Sequence, residues 1–168
     1  LLRPNPVAAV TYFSNLFKQS RVSGSVGFEA EIIKDLKFKT ENGAEIINNN
    51  SNIFQDSRMT GIYKNVNIAD RSNGEQQYLQ SENTLTYQLN KDNHKLAAVG
   101  GFSASLFNWD YVYMQVLNAS NITQGYNLGT GTPKTVNSDR VMSTLASFYG
   151  RINYSFSEKY LATITFRA

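Results

Sequence analysis

Cysteine is absent from this chain of 168 residues, so neither a disulfide framework nor a thiolate metal site can be built within it. Histidine occurs once, as His94 beside an expected turn, which leaves no multi-histidine metal centre and no Ser-His-Asp triad to assemble. No apolar run approaches the roughly 18 residues of a membrane-spanning helix. Charge is also sparse: the formal net charge is +3, and the Lys and Arg residues are scattered rather than clustered, which argues against nucleic-acid binding. Gly125, Gly129 and Gly131 lack the spacing and the strand-to-helix setting of a dinucleotide site. The Asp and Asn residues lack EF-hand spacing, and no set of acid, base and nucleophile recurs at one place. The reading is therefore a non-enzyme with no cofactor and no metal.

What the chain does contain is alternation. Phe148, Gly150, Ile152, Tyr154 and Phe156, then Tyr160, Ala162, Ile164 and Phe166, occupy every second position, with Tyr149, Arg151, Asn153, Ser155, Thr163, Thr165 and Arg167 between them. Only Ser157, Glu158 and Lys159 separate the two runs, so residues 148–168 are expected to form a hairpin with one apolar and one polar face. Val26, Phe28, Ala30 and Ile32 alternate before Ile33-Lys34-Asp35, and Leu36, Phe38 and Thr40 begin a return strand. Leu85, Tyr87 and Leu89 precede a turn at Asn90-Lys91-Asp92-Asn93, after which Leu96, Ala98, Gly100, Phe102, Ala104 and Leu106 alternate.

Between these hairpins the sequence predicts two long polar connections. One runs from about Gly43 to Tyr78 and includes Asn48-Asn49-Asn50-Ser51-Asn52 and Arg71-Ser72-Asn73-Gly74; the other runs from about Asn108 to Arg140. Six strands with tight turns at one end and long connections at the other match an outer-membrane barrel, whose strands of roughly 10 residues turn apolar side chains to lipid. The negative mean hydropathy of −0.37 agrees with this, because half of each such strand is polar. A spanning sheet cannot leave an open edge in hydrocarbon, and about eight strands are the fewest that close, so the 168 residues are expected to be part of a larger barrel. The absence of an initiator Met or a signal peptide at Leu1-Leu2-Arg3 points the same way. The fold class read from the sequence is all-β: about six strands of a transmembrane antiparallel up-and-down barrel, with short periplasmic turns and long extracellular loops.

The run Leu145-Ala146-Ser147-Phe148-Tyr149-Gly150-Arg151-Ile152-Asn153-Tyr154-Ser155-Phe156, followed by Lys159-Tyr160-Leu161 and Thr165-Phe166-Arg167-Ala168, resembles SusC-like TonB-dependent outer-membrane receptors. Weaker matches are Asn5-Pro6-Val7-Ala8-Ala9, Leu36-Lys37-Phe38-Lys39, and Leu85-Thr86-Tyr87 ahead of His94-Lys95-Leu96. Phe148-Tyr149 reverses the family's usual order. The resemblance covers most of the chain and implies that residues 1–168 are a partial receptor barrel domain, without plug domain, TonB box or signal peptide. It further implies a barrel of about 22 strands with a plugged lumen in the outer membrane of a Gram-negative bacterium. Such a barrel imports oligosaccharides or peptides. The implied partners are a SusD-like lipoprotein lid, TonB acting through the plug, and outer-membrane lipid.

Two groups of residues are candidates for contact with ligand or plug. If Leu106 is the last lipid-facing residue, Phe107, Trp109, Tyr111 and Tyr113 continue the inward row and offer flat apolar faces to sugar rings beside Asn108 and Asp110. The same aromatics also suit an interfacial girdle or a small loop core; Tyr154, Phe156 and Tyr160, near a tight turn, are assigned to the periplasmic girdle. Arg151, Asn153 and Arg167, in a row with Lys37, Lys39, Thr84, Thr86 and Thr165, are expected to face the lumen or the plug. Asn118-Ala119-Ser120 and Asn121-Ile122-Thr123 have sequon spacing and are read as loop. Two competing functions stand beside transport: a structural or adhesive outer-membrane barrel, and a soluble all-β carbohydrate-binding module.

Overall fold

A computed structural model describes residues 6–59, 65–120 and 127–168. One short helix, α1 (Pro6–Tyr12), precedes six strands: β1 (Phe13–Ile33), β2 (Leu36–Gln55), β3 (Ile68–Lys91), β4 (His94–Leu117), β5 (Thr132–Phe156) and β6 (Tyr160–Arg167). They form one sheet in sequence order, each strand beside its predecessor. Antiparallel neighbours need only short reversals, and three of the links are tight. Asp35, Asp92, Ser157 and Glu158 take the left-handed backbone conformation there, with φ of 67°, 53°, 52° and 58°. Asp tolerates that region better than bulky residues do. The final hairpin has the register that its alternation predicts: Gly150 pairs with Phe166, Ile152 with Ile164, Tyr154 with Ala162 and Phe156 with Tyr160.

The polar connections are shorter than the sequence suggests. β2 continues through Gly43 and the Asn-rich run to Gln55, β3 already begins at Ile68, β4 runs on to Leu117, and β5 starts at Thr132. Asn48–Asn52 and Arg71–Gly74 are therefore strand, not turn. Their side chains join across the sheet: Gln19 Nε2 donates to Asn49 Oδ1 at 2.8 Å, Asn73 Nδ2 to Asn50 Oδ1 at 2.5 Å, and Gln115 Nε2 to Asp70 Oδ1 at 2.7 Å. A continuous backbone ladder with paired amides outweighs the weak strand propensity of Asn.

The chain divides into two compact units. A loop-bearing unit comprises residues 1–21, 46–76 and 109–141; a turn-bearing unit comprises 22–45, 77–108 and 142–168. In the loop-bearing unit Phe54, Ala69, Val116 and Ala119 are buried together, with Leu128 of a single 3₁₀ turn (Leu128–Thr130) packed against them. Asn67 ties the connections down, accepting from Ser57 N at 2.7 Å and donating to the Ala119 carbonyl at 2.8 Å. Asp56 N donates to the Tyr12 carbonyl at 2.9 Å, the Asp56 carboxylate takes two bonds from the Arg58 guanidinium at 2.8 and 2.6 Å, and that guanidinium lies 3.9 Å over the Tyr12 ring. Arg58 holds the Asp56 carboxyl below its ordinary pKa. In the sequon Asn118-Ala119-Ser120, Ala119 belongs to this core; Asn121-Ile122-Thr123 and Gly125 lie outside the described residues, as does Asn5.

The turn-bearing unit has no such core. Val26, Phe28, Phe148, Ile152, Ile164 and Phe166 are between 47% and 70% exposed. Strand alternation puts them on one face, where the Phe102 and Phe148 rings meet at 4.8 Å, tilted by 45°. At its turns, His94, Tyr154, Phe156 and Tyr160 make a ring cluster, with His94 Nδ1 and the Tyr154 hydroxyl 2.6 Å apart.

Candidate ligand platform and polar face

Trp109, Tyr111 and Tyr113 all belong to β4 within the loop-bearing unit, and alternation sends their side chains to one face of the strand. The Trp109 and Tyr111 rings lie 5.8 Å apart and 19° from parallel, presenting a broad, nearly flat surface. Beside them Gly74 of β3 leaves open the volume a side chain would fill. A β-carbon there would stand 3.7 Å from the Tyr111 ring and 4.0 Å from the Asn49 side chain. The hydroxyl of Tyr113 accepts from Gln115 Nε2 at 3.1 Å, and the same nitrogen donates to Asp70 Oδ1. Apolar ring faces bordered by amides and a carboxylate can hold a ligand that is part apolar and part hydroxyl or amide, such as a sugar ring or a peptide side chain. Asp110 turns to the opposite face, where its carboxylate takes Arg140 Nε at 3.2 Å. Phe107 falls in the turn-bearing unit.

Arg151, Asn153 and Arg167 share one face of the β5–β6 hairpin, because Arg151 pairs with Thr165, Asn153 with Thr163, and Tyr149 with Arg167. Thr163 Oγ1 donates to Asn153 Oδ1 at 3.0 Å, and Arg167 Nη2 donates to Ser147 Oγ at 3.2 Å. Tyr149 organises the centre of this face. Its ring lies against Gly101 of β4, in the space where a β-carbon at 101 would sit, and its hydroxyl reaches β3, donating to Glu82 Oε1 at 2.7 Å and lying 2.9 Å from Thr84 Oγ1. The sequence reading put Tyr149 in the polar row but singled out neither it nor Glu82 as a site residue. An isolated glycine within a strand is the signal that could have found the pair, since it marks a close approach by a neighbour. Lys37 and Lys39 line a depression on this face with Glu29, Glu41, Thr84 and Thr86. Among the described residues no group of three or more His, Cys, Asp or Glu side chains is placed to hold a metal ion.

No protein-family model matches the chain. Two curated proteins of Formosa agariphila do. TonB-dependent receptor P26 is 34% identical over 91 residues, covering 52% of this chain, and TonB-dependent receptor P39 is 28% identical over 172 residues, covering 98%. Among solved structures the RagAB peptide transporter superposes with a TM-score of 0.81 over 96% of this chain at 19% identity, and the RagAB peptide importer in its closed-closed state with 0.78 over 92%. The chain is similar in sequence to TonB-dependent receptors and shares its fold with part of the RagAB transporter. The SusC-like resemblance read from β5 and β6 agrees with these matches, as does the six-stranded up-and-down sheet. The chain spans 9% and 16% of the length of the two curated relatives and 18% of the first RagAB chain. No helix among its described residues is long and apolar enough to cross a membrane.

Proposed function

We propose that residues 1–168 are barrel wall and loops of a Gram-negative outer-membrane, TonB-dependent transporter that takes up oligosaccharides or peptides. The observation that carries this reading is the exposed apolar face of the turn-bearing unit, backed by a charged and hydroxyl-rich face on the same strands. A soluble carbohydrate-binding sandwich would pack that apolar face against a second sheet; lipid is the other way to keep it from water. The similarity to TonB-dependent receptors and to a peptide transporter supports transport over an adhesive or purely structural barrel, and over an enzyme.

In this reading Trp109, Tyr111 and Tyr113 contact the cargo, and Arg151, Asn153 and Arg167 face the lumen and the plug that fills it. A SusD-like lipoprotein closes the extracellular mouth, and TonB moves the plug. Stacked rings suit sugars, and the RagAB transporter is named for peptides. Uptake assays in the source bacterium decide the matter: deleting the receptor gene is expected to abolish accumulation of one class of labelled oligomer, sugar or peptide. Retention of both would reject transport. The W109A/Y111A double variant is expected to weaken capture by about 1 kcal/mol per lost ring contact, roughly fivefold each in affinity.

A further inference from the structure

Charge on the polar face of the turn-bearing unit is mostly neutralised within that face. Lys37 lies 3.7 Å from Glu29 and Lys39 lies 3.0 Å from Glu41, while one oxygen of Glu82 is held by the Tyr149 hydroxyl. Arg151 and Arg167 differ from the two lysines in having no carboxylate partner. Among the described residues neither guanidinium forms an ion pair, and Arg167 donates to a neutral hydroxyl, that of Ser147. The register makes the two arginines diagonal neighbours, a spacing of roughly 7–8 Å between backbones. Both line one depression of about 560 Å³, together with Gln80, Glu82, Ser103 and Thr165. Guanidinium groups stay protonated at any pH a cell meets, so the pair cannot relieve its repulsion by losing a proton.

We propose that Arg151 and Arg167 together receive one Asp or Glu carboxylate of a polypeptide segment packed against this face, and that Tyr149 is the positioning residue that keeps them open by holding Glu82. Arginine forks match carboxylates bidentately, and two adjacent forks fit one such group. A polyanionic glycan would need a longer cationic track, and the nearest lysines on the face are already paired. On the proposed function, on which this inference rests, that segment is receptor polypeptide outside residues 1–168, which the matched proteins have in quantity, since this chain spans under a fifth of their length. Tyr149 can reach Glu82 because residue 101 is glycine.

The test is made on the complete receptor in outer-membrane vesicles, using R151K and R167K variants and a water-soluble carbodiimide, which couples amines to carboxylates and leaves guanidinium untouched. The native Lys37 and Glu29 pair shows that the reagent reaches the face, and heat-modifiable gel migration shows that the barrel is folded. The expected result is a cross-link from position 151 or 167 to an acidic residue outside residues 1–168, identified by mass spectrometry and absent from the parent protein. With Y149F added, that cross-link is expected to fall severalfold and a new one to Glu82 to appear. Linkage of Lys37 to Glu29 without any link at 151 or 167 would overturn the proposal, leaving solvated wall charges. A link formed only to an added acidic oligopeptide would overturn the chosen occupant in favour of cargo. Cross-links unchanged by Y149F would remove the role of Tyr149. None of these readouts depends on transport, so loss of the uptake reading leaves them interpretable.

Discussion

The two units are made from the same strands and differ in what they bury. Every buried hydrophobic residue of the described chain, Phe54, Ile68, Ala69, Val116 and Ala119, lies in the loop-bearing unit, while the turn-bearing unit leaves Phe28, Phe148, Ile164 and Phe166 more than 60% exposed. A water-soluble sheet cannot leave that many large side chains in one face without a cover, since large exposed apolar patches mark an interface or a membrane. The first unit gathers a small core, although its Val10, Phe17 and Val136 stay between 60% and 86% exposed; the second gathers none, the pattern that the proposed contact with lipid requires.

The difference is sharpest under substitution. Phe54→Ala should cost about 3–5 kcal/mol, the range for emptying a buried aromatic site, and should raise hydrogen exchange in residues 54–59 and 65–69 while leaving the 148–166 hairpin protected. Next comes Ile152→Arg, expected to cost about 2–4 kcal/mol in a lipid-folded barrel; Asn153→Arg on the other face should cost far less, both measured by urea unfolding in liposomes. Equal effects of the two would erase the distinction between faces. Gly101→Val forces the Tyr149 ring from its place and should cost about 1–3 kcal/mol, the range for overpacking, read as a lowered midpoint of heat modifiability.

A smaller, pH-dependent effect belongs to Asp56 and Arg58. The folded carboxyl titrates below its unfolded value of about 4, so its contribution is complete above that pH and fades as the pH falls through the lower folded value. Pepsin nicking of the 56–67 connection should therefore rise steeply below about pH 4. Arg58→Ala should flatten that rise, and a profile unchanged by the substitution would show that the pair does not hold the connection.

Legibility in the sequence followed the same division. The β5–β6 hairpin could be read to the residue because apolar and polar positions alternate through Phe148–Phe156 and, after the three-residue turn, through most of 160–167. The parts of β2 and β3 in the loop-bearing unit could not, since residues 48–52 and 71–74 have the composition of turns and become strand only through partners such as Gln19 and Asn50 supplied by neighbouring strands. The small core was invisible for a related reason: Phe54, Ala69, Val116 and Ala119 sit far apart in sequence, and only the register assembles them. The Trp109, Tyr111 and Tyr113 row was legible as a periodicity, whereas the fit of Tyr149 against Gly101 depends on a cross-strand pairing that alternation within one strand does not encode.

The central claim is that the exposed apolar face meets lipid. It is tested most directly by spin labels at single cysteines introduced into the complete receptor in bilayers, a choice eased by the absence of native cysteine from this stretch. Labels replacing Phe148, Ile152 and Ile164 are predicted to collide with membrane-dissolved oxygen and to be shielded from a water-soluble nickel chelate, with Arg151, Asn153 and Thr165 giving the reverse. Strong quenching by the chelate at Ile152 and Ile164 would contradict the account.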